Sequence, residues 1–220
     1  MVWPNWTRIA EALARQGISA DPASLAAADP HARYALDVAE IVNTSTDLRR
    51  ALEYFNLVLT HAGVPLSDRT DRALAEVREY QRVTNLWEHV PEFVCPTVKA
   101  LRGQGLRLGV VSNANGTLRV AFERIGLASF FDVILDSAEE GLEKPDPRLF
   151  ELALQRLGVT SDRAIHVGDM YYVDVVGARS AGLAAVLVDE AGLRANVDCK
   201  RIRSIAELPA MLRRRTATQQ

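Results

Sequence analysis

Cysteine is scarce in this chain of 220 residues: only Cys95 and Cys199 occur, far apart and outside any C-x-x-C pair. Neither a disulfide framework nor a cysteine-based zinc site is supported, and the composition suits a reducing, cytoplasmic compartment. Long apolar runs are lacking as well. The opening stretch MVWPNWTRIAEA carries arginine and glutamate early, so it reads as neither a signal peptide nor a membrane span. No charge of one sign is in excess. The formal net charge is −2, which gives no reason to expect nucleic acid or another polyanion as partner. The run Arg213–Arg215 leads into a polar tail and reads as a solvated end. Internal repeats and low-complexity segments are absent, and the first ninety residues show no period-two alternation.

What those ninety residues do show is helical spacing. Residues 5–16 place Trp6, Ile9, Ala10 and Leu13 on one face, with Asn5 as cap and Gly17 as stop. Residues 22–42 are rich in alanine and leucine, broken by Asp29-Pro30. Residues 46–63 and 67–87 repeat the helical pattern, the second behind a capping Ser67. The spacing predicts a helical domain over 1–92. Composition then changes. Pro91 and Pro96 bracket a linker-like stretch, followed by helix 96–103, strand 106–111, helix 117–125, strand 131–135, a loop over 136–147, helix 148–157, strand 164–167, helix 174–181, strand 184–188 and helix 205–213. Strands alternating with helices over short connections predict an α/β fold, a doubly wound parallel sheet over 93–213, with 214–220 as polar tail. The strands are uniformly apolar, as strands buried on both faces are.

In open parallel sheets, ligands bind beyond the carboxyl ends of the strands. Three polar groups fall there. Strand 106–111 delivers Ser112 and Asn113, strand 131–135 leads to the loop holding Lys144, and strand 164–167 delivers Asp169 with Asp174 behind it. A hydroxyl beside backbone N–H groups can hold a phosphate oxygen, a lysine can neutralise a dianion, and paired carboxylates can hold Mg²⁺. Taken singly, each has a plainer reading: Ser112-Asn113 as a turn, Lys144 as a loop lysine, Asp169 as a turn residue and Asp174 as a helix cap. His166, inside a strand, reads as a satisfied core histidine. Trp3, Trp6 and Trp87 read as packing. Order and common placement at strand ends join the polar groups into one magnesium-dependent phosphate site.

These motifs resemble those of the haloacid dehalogenase-like hydrolase superfamily. VVSNA at 110–114 is similar to its second motif, EKPDPRLFELAL at 143–154 to its third, and HVGDMYYVDVVGARSAG at 166–182 to its fourth. The helical first part looks like the family's inserted cap. The resemblance implies phosphoryl transfer through an aspartyl phosphate. In that scheme Ser112, Asn113 and the adjacent backbone hold the phosphoryl group, Lys144 offsets its charge, and Asp169 with Asp174 places Mg²⁺. A small phosphorylated metabolite is the implied substrate.

One motif of that family is missing. It begins D-x-D-G-T and supplies the nucleophile and the general acid/base from the central strand, yet no D-x-D occurs in this chain. Asp68 and Asp71 have the wrong spacing and no preceding strand. The resemblance places the absent strand between those carrying Ser112 and Asp169. Three expectations follow: a phosphatase whose product starts some ten to twenty residues upstream, on the length of a strand and its loop; a non-catalytic binding or regulatory relative; and a 2-haloacid dehalogenase, against which the paired acids argue. In each case the chain as written is expected to turn over no phosphate ester, because covalent catalysis needs its nucleophile.

Overall fold

A computed structural model describes residues 2–217, with side chains through Arg213. Arg214, Arg215 and the rest of the expected polar tail have side chains outside the described residues. The chain divides into two compact units, Trp3–His89 and Val2 together with the chain from Val90 onward. No helix among the described residues is long and apolar enough to cross a membrane.

The first unit contains β1 (Trp3–Pro4), α1 (Trp6–Arg15), α2 (Pro22–Leu36), α3 (Ala39–Thr44), α4 (Asp47–His61), α5 (Asp68–Thr84) and β2 (Trp87–His89). Helices α1, α2, α4 and α5 start where side chains can satisfy their first N–H groups. Asn5 accepts from Arg8 N, Thr46 from Arg49 N and Ser67 from Thr70 N. Leu13, Leu25, Val58, Leu59 and Leu74 meet in one core with almost no exposure. Two expectations need correction here. The unit is not all helix, because β1 and β2 pair antiparallel at its entry and exit; strands this short carry no readable alternation. Nor does Pro30 break the helix, for α2 runs through it. A proline inside a helix costs about 3 kcal/mol. That cost is offset on the buried face, where Leu25, Ala28, Ala32 and Leu36 pack and the Asp29 carboxylate accepts from Arg33 Nε at 2.9 Å and Tyr54 Oη at 2.6 Å.

The second unit alternates strand and helix as expected: α6 (Val94–Gly103), β3 (Gly109–Ser112), α7 (Leu118–Arg124), β4 (Val133–Asp136), α8 (Ser137–Glu140), α9 (Pro147–Leu157), β5 (Ile165–Gly168), α10 (Gly177–Ser180), β6 (Ala184–Val188), β7 (Lys200–Ile202) and α11 (Leu208–Ala217). The expected loop 136–147 includes the single turn α8, and β7 is an additional strand. All pairings in this unit are parallel, β3 with β4, β5 with β6 and β6 with β7. They form two half-sheets, β3-β4 and β5-β6-β7.

Side chains alternate between the faces as the pleat requires. One face forms a continuous core in which Val110, Ile134, Ile165, Val167, Val186 and Val188 meet Val94 and Leu101 of α6 and Leu118 and Phe122 of α7. On the other face α9 covers two separate clusters. Leu149 and Ala153 pack with Val111 and Leu135, while Phe150 and Leu154 pack with Ala178 and Ala185. Helices therefore cover both faces, the doubly wound α/β arrangement expected from the alternation.

Candidate functional site

At the carboxyl end of β5 the backbone turns through Asp169 and Met170 into a π-helical turn, Tyr171–Val176, before α10. The helical stretch thus starts three residues earlier than 174, and Asp174 lies inside the wide turn rather than capping it. The Val175 N–H reaches back to the Met170 carbonyl, the i→i+5 bond that widens such a turn. Asp174 is buried at 3 % exposure. Its Oδ2 accepts from the backbone N–H of Asp169 at 3.1 Å and of Met170 at 3.0 Å. Its Oδ1 accepts from Lys144 Nζ at 2.6 Å and lies 3.2 Å from His166 Nε2. Gly168 makes room for this carboxylate, since a Cβ there would sit 2.2 Å from Asp174 Cγ.

Burial pushes the Asp174 carboxyl up. The Lys144 charge and the hydrogen bond and charge of His166 outweigh that push and hold it well below the usual carboxylate range. Asp174 is therefore a fixed anion under ordinary conditions. Lys144 is itself buried, and its position is set twice. The ammonium is held by Asp174. The backbone is clamped by Asn113, whose Oδ1 accepts from Lys144 N at 2.7 Å and whose Nδ2 donates to Lys144 O at 3.0 Å. Asn113 thus ties the end of β3 to the Lys144 loop, and Lys144 ties that loop to the end of β5.

The loop after β3 is shaped by the end of β4. Asp136 Oδ2 accepts from Gly116 N at 2.9 Å and Leu118 N at 3.1 Å, and its Oδ1 from Ala138 N at 3.0 Å. Ser137 Oγ accepts from Ala114 N at 3.0 Å and donates to the Ala114 carbonyl at 3.1 Å. Three backbone donors of this loop are spent inside the protein. Ser112 is half-buried at the end of β3, and among the described residues its hydroxyl makes a long 3.4 Å contact with the Asn113 carbonyl. Asp136 and Ser137 are not among the expected site residues, although an Asp-Ser pair directly at a strand end is a signal for them. His166, expected as a core residue, touches Asp174 and meets the Phe150 ring edge-on at 4.9 Å between centroids.

The residues expected at one site are thus connected: Ser112 at the end of β3 and Asn113 just after it, Lys144 between Asn113 and Asp174, and Asp174 bound to the backbone of Asp169. For a magnesium ion the donor chemistry suits, because Asp169 and Asp174 offer hard carboxylate oxygens on one turn. Mg²⁺ often takes only one or two protein carboxylates, with phosphate and water as its other ligands. No group of three or more His, Cys, Asp or Glu side chains able to hold a metal occurs among the described residues. Asp174 also has both oxygens engaged by Lys144 and the backbone.

The family model described as haloacid dehalogenase-like hydrolase matches residues 2–182. A glyceraldehyde 3-phosphate phosphatase of Methanothermobacter thermautotrophicus is 42% identical over 96 residues, 42% of this chain and 42% of that protein. The match therefore spans less than half of that relative's length. A 2-haloacid dehalogenase from Pseudomonas syringae pv. tomato DC3000 aligns in structure with a TM-score of 0.54 at 28% identity, over 76% of this chain and 69% of that one. A phosphatase from Thermococcus onnurineus aligns with a TM-score of 0.56 at 27% identity, over 83% and 87%.

Proposed function

Because the chain belongs to the haloacid dehalogenase-like hydrolase family, we propose that it is the phosphate- and metal-holding part of a magnesium-dependent phosphatase acting on a small phosphorylated metabolite. The observation that carries this reading is the buried Lys144–Asp174 pair, joined at one rim to Ser112 through Asn113 and to Asp169 through its backbone. Phosphoryl transfer asks a protein mostly for positioning and charge stabilisation. Lys144 supplies a cation whose place is fixed before substrate arrives. The Ser112 hydroxyl donates to a phosphoryl oxygen. Asn113 keeps the Lys144 backbone in place, and Asp136 with Ser137 keeps the loop after Ser112 in one shape. Asp169, with Asp174, would hold Mg²⁺, which when bound would offset the negative charge on the phosphoryl oxygens. The similarity to a phosphatase named for a three-carbon phosphate supports a small substrate.

No D-x-D occurs in the sequence, so on this reading the aspartyl-phosphate step lacks the carboxylate that this motif supplies. The purified chain of 220 residues is expected to hydrolyse p-nitrophenyl phosphate no faster than buffer. A form carrying an apolar strand that ends in D-x-D-G-T ahead of Met1 is expected to hydrolyse it. EDTA should abolish that activity, and Lys144→Ala should lower it about 10²-fold or more. Robust magnesium-dependent turnover by the unextended chain would overturn the assignment of the nucleophile. Turnover of 2-chloropropionate would replace the phosphatase by a dehalogenase, and ester hydrolysis that survives EDTA would count against the magnesium-dependent reading. A folded extended form with neither activity would leave a non-catalytic binding protein.

A further inference from the structure

The chain has four histidines, and two of them meet on the helical unit. His31 lies on α2, and His61 is the last residue of α4. Their ring centroids are 5.6 Å apart, with the planes tilted by 34°. Helical spacing explains the meeting. α2 and α4 pack along one seam, where Leu25, Ala28 and Ala32 share a core with Phe55, Val58 and Leu59. His31 stands one turn after Ala28, and His61 one turn after Val58, so each flanks the buried stripe of its own helix. Both histidines are exposed. The rings therefore meet where the seam opens to solvent.

Packing gives little reason for the pair. Neither ring is buried, so their contact withdraws little apolar surface from water. A histidine in the last turn of α4 suits the helix dipole, which accounts for His61 but not for His31 against it. What the two rings supply together is a pair of ligands, because imidazole nitrogen binds Cu²⁺, Ni²⁺ and Zn²⁺. With metal–nitrogen bonds of about 2.0–2.1 Å, two rings sharing one ion have centroids roughly 4.5 Å apart at a right angle and about 6.4 Å apart when opposite. The observed 5.6 Å lies between those limits. The frame beneath the rings is also fixed. Tyr54 Oη of α4 donates to the Asp29 carboxylate of α2 at 2.6 Å, close in sequence to His31. Ligands already held together lose little freedom when an ion arrives. Charge is favourable too. Arg33, a neighbouring cation on α2, is paired with Asp29 at 2.9 Å, and the carbonyl end of α4 attracts a positive ion beside His61.

We propose that His31 and His61 form a two-histidine site for a late first-row transition-metal ion, which clamps α2 to α4. Water fills the remaining positions, because no group of three or more His, Cys, Asp or Glu side chains able to hold a metal occurs among the described residues. That composition selects the ion. Mg²⁺ and Ca²⁺ take oxygen ligands. A structural zinc site closes with four protein ligands. Two imidazoles completed by water suit Cu²⁺ and Ni²⁺, which stand high in the affinity order for nitrogen sites. The ion is exchangeable, since two side chains hold it and solvent reaches it. The site lies within the helical unit and shares no residue with Ser112, Lys144, Asp169 and Asp174. It stands or falls apart from the phosphatase reading.

The test titrates the chain of 220 residues with Ni²⁺ and follows the imidazole proton resonances. Excess Mg²⁺ is present throughout to occupy carboxylate sites. His31 and His61 are expected to broaden together, at a Ni²⁺ concentration about tenfold or more below the one that broadens His89, because the second ligand binds within the same molecule. His31→Asn should raise the concentration needed at His61 to that for His89, and His61→Asn should do the same at His31. Both variants change exposed side chains, and the far-ultraviolet spectrum checks that the helices remain. Ni²⁺ should also raise the thermal midpoint of the helical unit by about 4 °C or more in the parent and in neither variant. Broadening of one ring without the other, equal sensitivity of His31, His61 and His89, or an unaltered response at His61 in His31→Asn would each overturn the shared site. A midpoint that does not rise in the parent would overturn the clamp. Mg²⁺ alone should move neither ring. Activity enters none of these readouts, so a lost phosphatase reading and a lost metal site give different results.

Discussion

The Lys144–Asp174 pair decides how much the rim depends on charge. Two buried charges of opposite sign are expensive to separate, because whichever remains has lost its partner inside the protein. Lys144→Met should therefore cost about 3–5 kcal/mol in urea unfolding, the range for breaking a buried pair from one side. Adding Asp174→Asn should return part of that loss, since the amide oxygen can still accept from the Asp169 and Met170 N–H groups. Strictly additive costs in this double-mutant cycle would show that the two side chains do not support each other. Gly168 belongs to the same unit for a steric reason. Asp174 cannot retreat from a new Cβ at 2.2 Å while four contacts hold its carboxylate. Gly168→Ala should destabilise by about 3 kcal/mol or more, at the large end for point changes. A thermal midpoint within one or two degrees of the parent would contradict the placement of that carboxylate.

At the level of elements, α6 is fastened to the sheet by one acid at the start of β4. Asp132 Oδ2 accepts from Leu108 N at 2.8 Å and from Arg102 Nη1 at 2.5 Å. The Leu108 hydrogen bond leads, and with the Arg102 charge and hydrogen bond it holds this carboxyl below the usual range against the opposing effect of burial. The sign follows from linkage. A carboxyl with a lowered folded value stabilises fully above its unfolded value, near 4, and loses that contribution as pH falls through the folded value. The stability gap between the parent and Asp132→Asn should be constant from pH 7 to about pH 5 and close on further acidification. Salt should narrow it only in part, since a backbone hydrogen bond leads the shift. A gap that widens with acid would reverse the argument. Asp132 also shows what the sequence could not disclose. Helices and most strands are legible from apolar spacing, and the candidate site is proposed from its G-D-x-x-x-x-D and K-P-D-P patterns. Contacts that depend on where two strand ends meet, such as Asp136 with Gly116 and Leu118, leave no periodicity to read. Asp29-Pro30 misled for the related reason that tertiary burial overrode a local breaker, and β7 was too short to stand out.

At the scale of the molecule, the chain combines a self-contained helical unit with an α/β unit whose sheet is in two parts. The helical unit's independence follows from its own construction. Its first and last segments, β1 and β2, are hydrogen-bonded to each other, with Trp3 opposite His89. The two chain ends therefore leave side by side, the arrangement that lets a domain sit inside another without disturbing either. Its core is also complete. Large side chains from α1, α2, α4 and α5 fill it, and Ile9, Leu13, Leu25, Leu59 and Leu74 are almost wholly withdrawn from solvent. Each such side chain contributes roughly 1.5–3 kcal/mol by burial. Opposing this is the ordering of fewer than ninety residues, a size at which single domains fold alone but with small margins. The polar device holding α2 to α4, Tyr54 on Asp29, lies wholly within the unit and needs nothing from the rest of the chain. A fragment of residues 3–89 should accordingly give a helical far-ultraviolet spectrum and one cooperative thermal transition, at a lower temperature than any transition assigned to the unit in the full chain. Tyr54→Phe in that fragment removes one hydrogen bond to the Asp29 carboxylate, which keeps Arg33, and should destabilise the fragment by about 1.5–3 kcal/mol, the range for a hydrogen bond to a charged group. A fragment that is helical but melts without cooperativity would mean that these helices acquire a fixed core only within the whole protein.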